Sequence, residues 1–209
     1  MLLTEKQQNA LIGFINMILS RRPASSLSAL IQCPVILDVS NVWLYPLSKC
    51  KTEFADCFAN EVANVRQTLS GSLSGDALIL LDYPVAVMLT NLLRHNSRQP
   101  IEHLNISACE VLTEVGNILL SSFLGILGNL MGSMITVSEQ SFSIDPLESM
   151  INSLILEHQE IRYVLVVKTK FILCDNSLEA YLFFVSGVMP LSCMIRGIES
   201  VSNVAVSRV

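Results

Sequence analysis

Residues 107–131 read SACEVLTEVGNILLSSFLGILGNLM, and the organisation of the whole chain follows from them. Val111, Leu112, Val115, Ile118, Leu119, Phe123, Ile126 and Leu127 recur at helical spacing, which predicts one long helix with an apolar side. Gly132 supplies its stop, because glycine enters the left-handed conformation that ends helices without steric cost. Polar residues interrupt the pattern in a regular way. Glu110, Glu114, Asn117 and Ser121 follow one another at steps of four, three and four. At about 3.6 residues per turn, these steps align all four in one narrow stripe. Such a stripe on an otherwise apolar helix faces solvent or a partner, and taken alone it is most often a solvated face.

The pattern occurs twice. Asn16 stands 101 positions before Asn117, and Ser20 the same distance before Ser121, while Gly13 occupies the place of Glu114. Around Asn16, Leu11, Ile12, Ile15, Ile18 and Leu19 predict a helix over Thr4 to Leu19. A glycine inside a helix costs about 1 kcal/mol relative to alanine, so Gly13 is expected to mark a close approach by another backbone. A second apolar run, Leu27 to Ile31, follows Pro23 and two serines that suit a helix start. A strand is expected from Pro34 to Leu44, and its counterpart over Met134 to Val137. Each half then has a hairpin. Val62 to Leu69 and Ala77 to Leu81 flank a Ser/Gly-rich turn; Arg162 to Leu173 and Ala180 to Val185 flank Asp175, Asn176 and Ser177. Short apolar helices follow at Val85 to Leu93 and Val188 to Ile195, and the polar stretch from Asn96 to Pro100 reads as the joint. The expected fold is α/β in two pseudo-symmetric halves, about 1–98 and 99–209, with long helices packed on a mixed or antiparallel sheet. Each half alone would bury too little surface to stand by itself.

Composition bounds the function. The chain has 209 residues, a net charge of -5, 51% hydrophobic and 15% charged residues, so it can bury a core and is not disordered. Nucleic acid is not an expected partner, since backbone binding needs clustered cations and only the pair Arg21-Arg22 occurs. Six cysteines and three histidines (His95, His103 and His158) lack zinc-site spacing, and the cysteines read as buried or free thiols of a reducing compartment. No charged residue occurs from Val115 to Ser138, long enough to span a bilayer, but Asn117, Ser121, Ser122, Asn129 and Ser133 favour a buried helix of a globular core. No membrane span and no secretory signal are expected. Trp43 and Tyr45 read as packing residues. There is no Gly-rich phosphate loop and no GxSxG elbow.

Leu112-Thr113-Glu114-Val115-Gly116-Asn117-Ile118, with Leu119 to Leu127 after it, resembles the signature of the CheC, CheX and FliY family of chemotaxis phosphatases, most nearly CheC. That signature runs Ser or Asp, three residues, Glu, two residues, Asn, and later a Pro. Here Glu110 holds the first position, followed by Glu114 and Asn117; Val39 and Gln140 stand where the two later prolines would be. The first half keeps Asn16, has Gly13 for the Glu, and carries Arg21-Arg22 where the family has small residues.

The resemblance implies a cytoplasmic hydrolase that removes phosphate from the aspartate of a CheY-type response regulator. It implies Glu114 and Asn117 as catalytic residues, Asn16 as the remnant of a degenerate, inactive first site, and Glu110 and Ser121 as auxiliary residues. Asn117 would orient the attacking water, and Glu114 would pair with a lysine of the partner. No cofactor of its own is implied, since the Mg²⁺ belongs to the response regulator. CheD is a further partner that the resemblance implies. The competing expectation is a non-catalytic module that binds a response regulator or CheD.

Overall fold

The long helix forms over Ile106–Met131 (α5) in the computed structural model, which describes residues 3–58, 60–71, 73–94, 99–132, 134–157, 162–173 and 176–206. The Asn105 side chain accepts from the Ala108 N–H at 2.9 Å and caps its start, and Gly132 ends it at φ 58°. The matching segment of the first half is two helices, α1 over Glu5–Leu19 and α2 over Arg22–Ile31. Pro23 explains the break, because it has no N–H to give the Leu19 carbonyl one turn back. Serines do not start α2, as the sequence suggested; Arg21 holds the cap position without a side-chain bond and Pro23 sits in the first turn. Of the expected joint, residues 96–98 lie outside the described residues, as do Asp175, His95, His158 and Cys174.

Seven strands form one sheet among the described residues: β1 (Val35–Pro46), β2 (Glu61–Gly71), β3 (Gly75–Asp82), β4 (Ile135–Val137), β5 (Ser141–Pro146), β6 (Arg162–Leu173) and β7 (Asn176–Gly187). Their order is β1-β6-β7-β3-β2-β4, with β5 also on β2, and every pairing is antiparallel. Segments before and after the joint alternate across this sheet. β1 pairs with the later hairpin at β6, β5 pairs with the earlier hairpin at β2, and β3 meets β7 in the middle. The remaining helices are α3 (Cys50–Glu53), α4 (Tyr83–Leu93), α6 (Leu147–Glu157) and α7 (Val188–Val206). The expectations from sequence did not include α3, β5 or α6, although Leu147, Met150, Ile151 and Leu154 carry helical spacing in α6, and they placed the end of α7 too early.

Helices cover the sheet on both faces. α1, α2, α4, α5 and α7 bury their apolar sides on one face, while α3 and α6 cover the other. β3 shows the division: Ala77, Ile79 and Leu81 enter the larger core, Leu78 and Leu80 the smaller. With both faces buried, the central strands read as continuous apolar runs rather than alternating ones. Trp43 and Tyr45 pack edge-on against Phe54 in the smaller core, each with ring centroids 5.8 Å apart. Cys33 departs from the expected thiols, since it is disulfide-bonded. In β3 the fully buried Asp76 accepts from Arg66 Nε at 2.8 Å and Thr68 Oγ1 at 3.1 Å, and Arg66 also pairs with Glu157 of α6. A buried carboxylate so paired and hydrogen-bonded ties β2, β3 and α6 together.

α5 is long and apolar enough to cross a membrane, yet here it packs on the sheet as a core helix. Its seat is tight at Gly116, where a Cβ would lie 2.5 Å from Val65 Cγ1 of β2. Gly13 is the opposite case. It was expected to mark a close approach, but nothing lies within 4 Å of the place its Cβ would take. Gly116→Ala is therefore expected to destabilise the fold by about 1–3 kcal/mol through overpacking, in spite of alanine's helix preference. Gly13→Ala should stabilise it by about 1 kcal/mol. Urea unfolding of the two variants checks both signs; a neutral Gly116→Ala would mean that α5 does not rest on Val65.

Candidate functional site

Because Gly116 and the buried Leu112, Val115, Leu119, Leu120, Phe123 and Leu127 face the core, the roll of α5 is fixed. Glu110, Glu114, Asn117 and Ser121 are then all exposed, in a row along the outside of the helix. Ile126, expected on the apolar side, is 36% exposed instead. Neither the Glu114 nor the Glu110 carboxylate has an ion-pair or hydrogen-bond partner among the described residues. Ser121 Oγ donates to Asn117 Oδ1 at 2.9 Å across one turn. This bond orients the amide, leaving its Nδ2 and the second lone pair of Oδ1 available.

The two asparagines that sequence places in register have opposite fates. Asn16 is half-buried, and its Oδ1 accepts from the Val39 N–H of β1 at 2.7 Å, while its Nδ2 lies 3.5 Å from the Val39 carbonyl. It serves a strand that is irregular at this point, with a register shift between Val39 and Asn41. Gln8, two turns earlier, donates to Asn41 Oδ1 at 2.6 Å and to the Val42 carbonyl at 2.8 Å. In the second half the direction of the contact is reversed. Gln140, in register with Val39, comes between β4 and β5 and reaches the backbone of α5. The amide orientation that satisfies both neighbours has its nitrogen donating to the Thr113 carbonyl at 3.1 Å and its oxygen accepting from the Asn117 N–H at 3.3 Å. A side chain from the β4–β5 connection thus contacts the α5 backbone, and the Asn117 side chain is left outside. The sequence marked Gln140 only as a missing proline; its contact with the site residues depends on the interruption between β4 and β5.

Two grooves meet the stripe from its ends. One is lined by Leu104, Cys109, Glu110, Thr113, Glu114 and Phe142. Burial pushes the Cys109 thiol above its ordinary pKa and the Glu110 charge adds to this, against a backbone hydrogen bond, so at neutral pH the thiol stays protonated and unreactive. The other groove lies where the α1–α2 corner faces α5, and Arg21, Arg22, Ser121, Ser122 and Asn129 line it. Along α5 the surface therefore runs from two carboxylates, through an amide and a hydroxyl, to two guanidiniums.

The fold is one already seen in solved structures. FliY of Thermotoga maritima superposes with a TM-score of 0.74 at 20% sequence identity, over 96% of this chain and 99% of that one. The FliM middle domain of H. pylori gives 0.64 at 8% identity, over 93% and 99%. The same species' FliG–FliM complex gives 0.63 at 9% identity, over 93% and 100%. No family model and no curated protein matches the sequence. The α/β fold expected from the sequence, with long helices on a mixed or antiparallel sheet, is the fold found, and every strand pairing among the described residues is antiparallel.

The contrast between the asparagines is measurable without any activity. Asn16→Ala leaves the N–H of the buried Val39 unpaired and is expected to cost about 1–3 kcal/mol. Asn117→Ala, at an exposed site, should change stability by less than about 0.5 kcal/mol. Equal losses in thermal unfolding would contradict this division of roles.

Proposed function

We propose that this chain is a cytoplasmic phosphatase that hydrolyses the aspartyl phosphate of a CheY-type response regulator through the single half-site of Glu114 and Asn117. The observation that carries this reading is the exposed, unpaired carboxylate set one helical turn from an exposed amide, on a FliY-like fold. An acyl phosphate is already activated, so catalysis needs little beyond a water held in line with the leaving carboxylate. The water oxygen bonds to phosphorus, the bond from phosphorus to the aspartyl oxygen breaks, and inorganic phosphate departs. Asn117 accepts a hydrogen bond from that water, with Ser121 holding the amide in place. Glu114 pairs with a cation of the partner and sets the docking register. The Mg²⁺ that would neutralise phosphoryl charge would come with the partner. Asn16 takes no part, because both ends of its amide face the backbone of β1.

A second reading is a non-catalytic module that binds a response regulator, CheD or a flagellar switch protein. The likeness to the FliM middle domain, including the one solved with FliG, favours it.

Phosphate release from CheY-type regulators charged with acetyl phosphate separates the two. Asn117→Ala is expected to lower kcat by at least about tenfold with KM little changed. Glu114→Ala should raise KM by about tenfold. Gly13→Glu has room for its side chain but no free amide beside it, so turnover per chain should stay at the wild-type level. Wild-type rates in both the Asn117 and the Glu114 variant would sink the catalytic assignment, and binding without turnover by the unaltered protein would favour the second reading.

A further inference from the structure

The break between α1 and α2 places two arginines at the end of the site. In the second half the same stretch is unbroken helix, and residues Ser122 and Phe123 stand where Arg21 and Arg22 stand in the first. Pro23 forces the corner, and both arginines are exposed there. Neither side chain has a hydrogen-bond or ion-pair partner among the described residues. They line a groove whose opposite wall is α5, with Ser121, Ser122 and Asn129 as polar groups and no carboxylate. The groove is continuous with the site through Ser121, which both lines it and bonds Asn117.

Two unpaired guanidiniums in a chain of net charge -5 form a local inversion of sign. Guanidinium matches carboxylate and phosphoryl oxygens with paired, coplanar donors. From this and the gradient along α5 we infer that the groove receives an acidic segment of the partner protein beside its phosphorylated aspartate, with Arg21 and Arg22 as the residues that set affinity and register. The inference rests on the proposed function and deepens it. The site is then composite. α5 supplies the carboxylate and the amide, and the half that lost its own carboxylate supplies the cations. A partner that fits presents a cation opposite Glu114 and anions opposite Arg21 and Arg22, so reversed docking would bring like charges together at both ends. The arginines touch the partner rather than the reacting atoms, so they are positioning residues, and they act on encounter more than on the chemical step.

Steady-state dephosphorylation of an acetyl-phosphate-charged CheY-type regulator over a range of salt concentrations tests this. The Arg21→Glu/Arg22→Glu variant is expected to raise KM by at least about tenfold at low salt, with kcat within about twofold of wild type. Its KM should also lose most of the salt dependence seen in the unaltered protein. Arg21→Lys/Arg22→Lys, which keeps the charge, should recover most of that loss. Since both residues are exposed, circular dichroism should show an unaltered fold. An unchanged KM and salt slope in the Glu variant, with Asn117→Ala still slow, would overturn the inference and leave the proposed function standing. An unaltered protein that neither binds nor dephosphorylates any charged regulator would overturn both. Reversal that abolishes adsorption to anionic phospholipid vesicles, with regulator kinetics unchanged, would assign the arginines to a membrane surface and overturn the inference as well.

Discussion

Gly116 lies against Val65 at a distance that no side chain would permit, and this contact fixes both the height and the roll of α5 on the sheet. A long helix with apolar residues on most of its surface could settle on a sheet in more than one orientation. A closest-approach point removes that freedom, because only the glycine side of the helix reaches β2 without a clash. Once the roll is set, the stripe at Glu110, Glu114, Asn117 and Ser121 must lie outside. The exposure of the carboxylate and the amide is thus a consequence of packing on the opposite side of the helix. The neighbouring residue of β2, Arg66, is anchored in turn through buried Asp76 and Glu157, so the strand beneath α5 is itself held in register.

The two asparagines that the sequence places in register are used differently. In the first half a helix side chain serves the strand where its register shifts, since backbone groups there need partners. There the helix provides the amide, and Asn16 is consumed by Val39. In the second the β4–β5 connection provides it, and Gln140 bonds the α5 backbone. An asparagine whose amide bonds the backbone of β1 does not also reach a partner outside. One amide per crossing is enough for structure, and the identity of the donor residue decides which half keeps a free side chain.

The interleaved sheet makes the earlier and later parts of the chain depend on each other for folding. β1 completes the hairpin of β6 and β7, and β5 completes that of β2 and β3, so neither set of strands makes a finished sheet without the other. Burial follows the same logic, with both cores drawing residues from both ends of the chain. The Arg21–Arg22 corner lies where a proline breaks the helical stretch of the first half into two helices.

The sequence by itself determined the periodic elements. The helix over 106–131 with its glycine stop, the paired hairpins and the recurrence at 101 residues were legible because spacing alone encodes them. It also determined that Glu114 and Asn117 share one face, since that depends only on helical geometry. The short elements α3 and β5 are too brief to carry a period and are held by tertiary contacts, whereas α6 does carry one, in Leu147, Met150, Ile151 and Leu154, although no helix was expected there. That the polar stripe lies outside was expected from the apolar side opposite it, but the seat of α5 on β2, which asparagine is free, and where the arginines lie relative to Ser121 were decided only in three dimensions. Those facts rest on contacts between residues far apart in the chain (Val65 with Gly116, Val39 with Asn16, Gln140 with Asn117), and local spacing holds no record of such distances.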